Sequence, residues 1–245
     1  MSLFITFEGI DGSGKSTQIQ LLYEYLQARG YPVIKVREPG GTPISDWIRR
    51  ILLDLRHTEM ATTTETLLFS AARAQLVLET IRPYLFEHGG IVLCDRYADS
   101  TYAYQGYGLG RNLDELRMVT SMATGELQPD VTIFLDLRAE EGLERKRIKQ
   151  QPIRRSALAN SWEIEGTTDA VPQEASTQTP EWNRLDAREL AYHQRVEMGY
   201  RELIAESPER WEIFDARQPI DILAHQIQMT VEPLLEHVRL LEPET

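Results

Sequence analysis

Gly9-Ile10-Asp11-Gly12-Ser13-Gly14-Lys15-Ser16, with Thr17 behind it, is the stretch on which this 245-residue sequence turns. The apolar run Leu3-Phe4-Ile5-Thr6-Phe7 leads into it, and a helix-like stretch leaves it from Lys15. The spacing G-x-x-x-x-G-K-[ST] is that of a phosphate-binding loop, and the residue types explain why. Glycines let backbone N–H groups converge on phosphate oxygens, Lys15 reaches the β- and γ-phosphates, and Ser16 offers a hydroxyl to Mg²⁺. The helix that starts there adds the positive end of its dipole. Strand, loop and helix in this order predict nucleotide binding by residues 9–17. They leave open what receives the phosphoryl group.

Outward from the loop, Ile19, Leu21, Leu22, Tyr25 and Leu26 recur near helical spacing and Gly30 supplies a stop. Residues 31–36 read as a strand that delivers Arg37-Glu38-Pro39-Gly40-Gly41-Thr42 at its C-terminal end, where open α/β sheets place ligands. Helical patterns follow over 44–55, carrying Asp46, Arg49 and Arg50, and over 64–88, with Pro83 as a point of kinking. Ile91-Val92-Leu93-Cys94 has the look of a fully buried parallel strand and ends in Asp95-Arg96-Tyr97. Residues 100–106, rich in hydroxyls and aromatics, read as a loop. A helix over 113–124 and a strand over 131–136 come next. Strands alternating with helices predict an α/β fold with a parallel sheet of about five strands and helices on both faces.

From Gly142 a basic helical stretch runs on through Lys149, Arg154 and Arg155. Residues 156–180 are polar and aperiodic, an excursion of about 25 residues. Periodicity returns at Leu185, then a last strand over 211–215 and a closing helix over 220–241. The length fits one domain spanning 1–245, with a lid region at 142–187 that contains a polar insertion at 150–180. A net charge of −12 disfavours nucleic acid as a partner, while a small phosphorylated ligand needs only a local basic pocket. Cys94 is the single cysteine, which points to a buried, inert thiol and a reducing cytosol. No apolar run approaches the ~18 residues that span a bilayer, so a cytoplasmic chain without membrane contact is expected.

Phosphoryl transfer needs a held donor, a neutralised moving group and an acceptor kept in line. Asp95 at a strand end suits the acid that holds Mg²⁺, with Glu8 and Asp11 as competing carboxylates. Arg37, Arg73 and Arg96 come from three segments. Their guanidinium forks suit a second anion, although for any one of them a surface ion pair is the ordinary role. A phosphorylated acceptor therefore stands ahead of a free nucleoside. A nucleotide-driven switch fits less well, because the sequence has no N-K-x-D guanine reader and the Asp95 block lacks the D-x-x-G of a switch loop.

The blocks Phe4 to Thr17, Arg37 to Thr42, Phe69-Ser70-Ala71-Ala72-Arg73-Ala74-Gln75, Asp95-Arg96-Tyr97 and Tyr104-Gln105-Gly106, in this order, resemble the thymidylate kinase family. The resemblance implies a phosphate-loop fold with a lid, and transfer of the γ-phosphoryl of ATP to dTMP, giving dTDP and ADP with Mg²⁺ as cofactor. It assigns Lys15, Asp95 and Arg96 to catalysis, and Asp11 to the sugar 3′-OH. Arg37 and Arg96 fall to the acceptor phosphate, Phe69 to the thymine face and Arg73 to O4. Ser100, Thr101, Tyr104 and Gln105 would line the base and sugar pocket. The loop interior has no arginine, so the lid would supply the transition-state cation from Arg145, Arg147 or Arg184, worth ~10³–10⁵ in related transfers. Arg184 lies in Asn183-Arg184-Leu185-Asp186, similar to the family's D-R-[IL]-E. Ala72, Asn183 and Asp186 depart from the usual pattern. The family also implies a homodimer.

Overall fold

The computed structural model describes residues 2–150, 183–238 and 240. Five parallel strands, β1 (Leu3–Glu8), β2 (Val33–Arg37), β3 (Ile91–Asp95), β4 (Val131–Asp136) and β5 (Trp211–Asp215), form one sheet in the order β2-β3-β1-β4-β5. The central strand β1 is buried along its whole length, as a strand covered on both faces must be. Its period-2 alternation aims Leu3, Ile5 and Phe7 at one layer and Phe4 at the other. The register pairs Phe7 and Arg37 with Asp95, so the ends of β1, β2 and β3 share one edge.

Helices cover both faces. Leu22 and Leu26 of α1 (Lys15–Ala28) and Leu223 and Ile227 of α8 (Ile220–Val231) pack on the Ile5 side. Leu76 of α3 (Thr62–Leu76) and the following Val77, Ile81 and Leu85 pack on the Phe4 side with Cys94. Thr42 caps α2 (Pro43–Leu53) by accepting from the Ser45 N–H at 3.3 Å, with Pro43 in its first turn. Tyr192, Val196 and Tyr200 of α7 (Leu190–Glu206) build a third cluster with Phe134 and Trp211. Among the described residues no helix is long and apolar enough to cross a membrane.

Two expectations need correction. Residues 100–106 are helical: α4 (Ala98–Thr101) runs into wide π-helical turns over Tyr102–Gly108. Aromatics at positions 102 and 104 break the 3.6-residue period in the sequence, and Ala103 and Tyr104 are held instead by packing with α7. The long pattern over 64–88 is helical throughout as read, with α3 passing into π-helical turns at Val77–Ile81 and Tyr84–His88 and Pro83 between them. The closing helix ends at Val231 and tightens to a 3₁₀ segment, Glu232–His237, because Pro233 has no N–H to continue the ladder. The helix over 113–124 forms as read, as α5 (Leu113–Thr124), and the basic helix is α6 (Ala139–Gln150). The insertion, with Arg154 and Arg155, lies outside the described residues apart from its first residue, Gln150.

Candidate active site

The loop between β1 and α1 lies at the C-terminal edge of the sheet, where the connections diverge to β2 on one side and β4 on the other. Gly12 and Gly142 explain how tightly it is held. A Cβ on Gly12 would sit 2.2 Å from the Gly142 carbonyl oxygen, and one on Gly142 would sit 2.2 Å from that of Asp11. Only glycine admits α6 so close to the loop. Lys15 folds back over the loop, its Nζ donating to the carbonyls of Gly9 at 3.0 Å and Ile10 at 2.8 Å and to Ser13 at 3.4 Å. Burial first, and the Arg96 charge second, bring the ammonium down to about 8. Ser16 Oγ donates to Asp95 at 2.7 Å, so hydroxyl and carboxylate form one hard-oxygen pair. Two such donors suit Mg²⁺, whose remaining positions phosphate oxygens and water can fill.

A cleft of about 370 Å³ opens from the loop along this edge. Asp11, Gly12, Gly14, Lys15, Ser16 and Thr17 line its loop end, while Gly9, Ile10 and Ser13 are buried beneath. Arg37, Asp95 and Arg96 line its middle. Phe69, Arg73, Ser100, Thr101, Tyr104 and Gln105 line the remaining wall. Arg96 is the hub. Its backbone is left-handed, with φ 72°, a conformation that costs a non-glycine residue about 1–3 kcal/mol. In return the guanidinium turns back over the loop: it donates to Asp11 at 2.9 Å, Tyr104 at 3.0 Å, and Ser100 and the Gly9 carbonyl at 3.1 Å. Burial raises the Asp11 carboxyl, but Arg96, Lys146 and Lys15 outweigh it and hold the group below the usual carboxylate range.

Glu8, a competing carboxylate in the sequence, turns away from the cleft. It is fully buried and accepts from Ser100 Oγ at 2.6 Å, Tyr200 OH at 2.7 Å and the Tyr97 N–H at 2.8 Å. Burial, then the Asp99 charge, pushes it up to about 7. Arg73 is just as deep. It pairs with Glu38 at 2.6 Å and donates to Thr101 at 2.8 Å and the Tyr97 carbonyl at 2.9 Å.

The lid arginines separate. Arg145 lines the cleft and donates to the Ala216 carbonyl at 3.0 Å. Arg147 is exposed and lies off the cleft wall. Arg184 is locked between α2 and α3, donating to the Leu52 carbonyl at 3.0 Å and pairing with Glu65 at 2.6 Å. That site does not line the cleft, so the expected catalytic role of Arg184 gives way to an anchoring one. Removing one partner of such a buried pair costs about 3 kcal/mol. Arg184→Ala should therefore lower the melting temperature by several degrees, while Arg145→Ala should slow transfer with little thermal effect. Melts and single-turnover rates on both variants separate these outcomes.

Sequence reasoning passed over Arg49, Lys146, Glu38 and Leu53, all in the cleft wall. Arg49 donates to the Pro39 carbonyl at 2.8 Å, and burial, then the neighbouring Arg37, lowers it to about 10. In the sequence it is one more polar residue on an amphipathic helix; the only available signal was its position just after the Arg37 to Thr42 block.

The thymidylate kinase family model matches residues 7–188. The chain is 65% identical to a thymidylate kinase of Roseiflexus castenholzii over 242 residues, covering 99% of this chain and 98% of the relative. The chain belongs to the thymidylate kinase family. A thymidylate kinase of Herpetosiphon aurantiacus is 58% identical, with 98% of this chain and all of the relative covered. The crystal structure of thymidylate kinase from Ehrlichia chaffeensis superposes with a TM-score of 0.66 at 27% identity, covering 94% of this chain and 98% of that one. Membership of this family accords with the parallel sheet and with the loop at its edge.

Proposed function

We propose that this enzyme, which phosphorylates dTMP, takes the γ-phosphoryl group from ATP bound with Mg²⁺ on residues 9–17. One observation carries the reading: Arg96, Arg37 and Arg49 face the phosphate loop across one cleft, with Phe69, Arg73 and Gln105 further along its wall. A single nucleotide does not need two anion sites. A donor on the loop and a phosphorylated acceptor on the arginines account for both.

Lys15 would hold the donor β- and γ-phosphates, exchanging the loop carbonyls for phosphate oxygens. Ser16 and Asp95 would hold Mg²⁺, which neutralises phosphate charge when bound. Arg96, with Arg37 and Arg49, would fix the acceptor phosphate in line with the donor, supplying the orientation on which phosphoryl transfer chiefly depends. Asp11 would accept from the sugar 3′-OH while keeping Arg96 in place. Phe69 would stack on the base and Arg73 would donate to its O4, with Ser100, Thr101, Tyr104 and Gln105 around base and sugar. Arg145 is the lid arginine favoured as transition-state cation, in a lid spanning 142–187 within a single domain. A cytosolic location fits the lone buried Cys94.

A coupled assay with dTMP, dUMP, dCMP and AMP as acceptors, and thymidine beside them, tests the reading. dTMP should have the highest kcat/KM; preference for AMP, or thymidine outperforming dTMP, would reject it.

A homodimer is supported by an apolar face. Ile44, Trp47 and Ile51 of α2 are exposed at one-turn and two-turn spacing, and Met118 and Met122 of α5 are also exposed, with α3 packed against both helices. Clustered exposed apolar side chains of this size mark contact surfaces. Light scattering should give twice the chain mass, and Trp47→Glu should shift it toward the monomer.

A further inference from the structure

The face of α3 that carries Phe69 and Arg73 begins one turn earlier with Glu65, since positions four apart stack along a helix. Glu65 is 1% exposed, and its two oxygens are divided. Oε2 accepts from Nη2 of both Arg184 and Arg188, each at 2.6 Å. Oε1 accepts from Nε2 of Gln105 at 3.1 Å, inside the protein. A carboxylate between two guanidinium groups offers only acceptors, so the amide of Gln105 must present its NH₂ to it. The amide carbonyl is thereby turned away from Glu65, on a side chain that lines the cleft.

Beside it, Arg73 is held on three sides: Nε donates to Glu38, whose carboxylate also lies in ion-pair contact with Nη2 at 2.6 Å, Nη2 donates to the Tyr97 carbonyl, and Nη1 donates to Thr101. One N–H of Nη1 remains uncommitted among the described residues. This wall of the cleft thus combines a donor that cannot become an acceptor with an acceptor held from becoming a donor.

We propose that Glu65 is a positioning residue for base selection: it locks the Gln105 amide with its carbonyl toward the acceptor base, and the turn carrying Arg184 and Arg188 holds Glu65 in place. The inference rests on the dTMP reading above. A base that satisfies the pair needs a carbonyl for Arg73 next to a ring N–H for Gln105. Thymine and uracil carry that pattern at C4 and N3; cytosine carries its reverse, an amino group beside an unprotonated nitrogen. Without the lock the amide can rotate and donate to cytosine N3. Mispairing at a buried hydrogen-bonding site is how enzymes reject an acceptor of the same size.

The test compares kcat/KM for dTMP, dCMP and dUMP in the wild type, Glu65→Gln and Glu65→Asp. The amide introduced by Glu65→Gln can donate to the Gln105 carbonyl and so release the Gln105 side chain from its fixed orientation. Asp keeps a negative charge beside Arg184 and Arg188 but is one methylene too short to reach Gln105, and a thermal melt of each variant identifies the one that stays folded for the comparison. The dTMP/dCMP ratio should fall about tenfold, the equivalent of one hydrogen bond of about 1.4 kcal/mol. The dTMP/dUMP ratio should hold within about twofold, because those bases present identical edges to the pair. Equal losses on all three acceptors, or an unchanged dTMP/dCMP ratio in the Asp variant, would overturn the role of Glu65. A wild type that ignores dTMP would instead remove the reading beneath it, so the two failures are told apart by the unmutated enzyme.

Discussion

Lys15→Ala should abolish phosphoryl transfer, with kcat down at least about 10³-fold while the fold is retained. The side chain is 6% exposed and held over the loop by the Gly9 and Ile10 carbonyls, so it is already at the position where phosphate oxygens gather. Alanine removes the one cation that the loop itself contributes. Lys15→Arg should not rescue, since a planar fork does not fit the slot of a compact ammonium. The lowered proton affinity adds a pH signature. At about 8 the free enzyme's Lys15 is protonated below that pH and loses its proton above it, and only the protonated form attracts phosphate. Bound phosphate stabilises the ammonium, so ATP affinity should be level on the acid side of 8 and fall on the alkaline side. Calorimetric titration of ATP across this range checks the slope. The same titration with Lys15→Ala should lose the step.

Arg96→Ala should cost about 10³-fold in kcat/KM for dTMP, equivalent to about 4 kcal/mol of transition-state stabilisation, with both a higher KM and a lower kcat. Two effects combine. The acceptor phosphate would lose its fork, and Asp11, left with Lys146 at 3.9 Å in place of Arg96 at 2.9 Å, would turn a less neutralised carboxylate toward an anionic substrate. The double variant Arg96→Ala/Asp11→Asn should therefore recover part of the loss. Arg96→Lys should recover less, because one ammonium cannot reach Asp11, Tyr104, Ser100 and the Gly9 carbonyl together. KM for ATP should stay within about twofold, since Lys15 keeps its own contacts to the Gly9 and Ile10 carbonyls. A large rise there, with little change for dTMP, would assign Arg96 to the donor.

Local chemistry made much of this enzyme legible without coordinates. The phosphate loop is readable because its glycines, lysine and serine act through backbone and side chains within one short unbroken stretch. The strand runs are readable because a parallel sheet buried on both faces demands continuous apolar stretches. The Arg37 to Thr42 and Asp95 to Tyr97 blocks stand where strands end, and the family resemblance set them together. Glu65 was illegible for the opposite reason: its partners, Arg184 and Arg188, lie 119 and 123 residues away along the chain.

From the sequence alone came the α/β class, the nucleotide-gripping loop and the kinase family, because each depends on short-range patterns that every residue in the stretch enforces. Tertiary structure alone decided which charged groups face the cleft. It turned Glu8 inward to Ser100 and Tyr200, drew Arg184 into an anchoring pair with Glu65, brought Arg49 into the cleft wall and made residues 98–108 helical. A charge is cheap in water and costly when buried, so its role is set by the partners that desolvation forces upon it, and those arrive from distant parts of the chain.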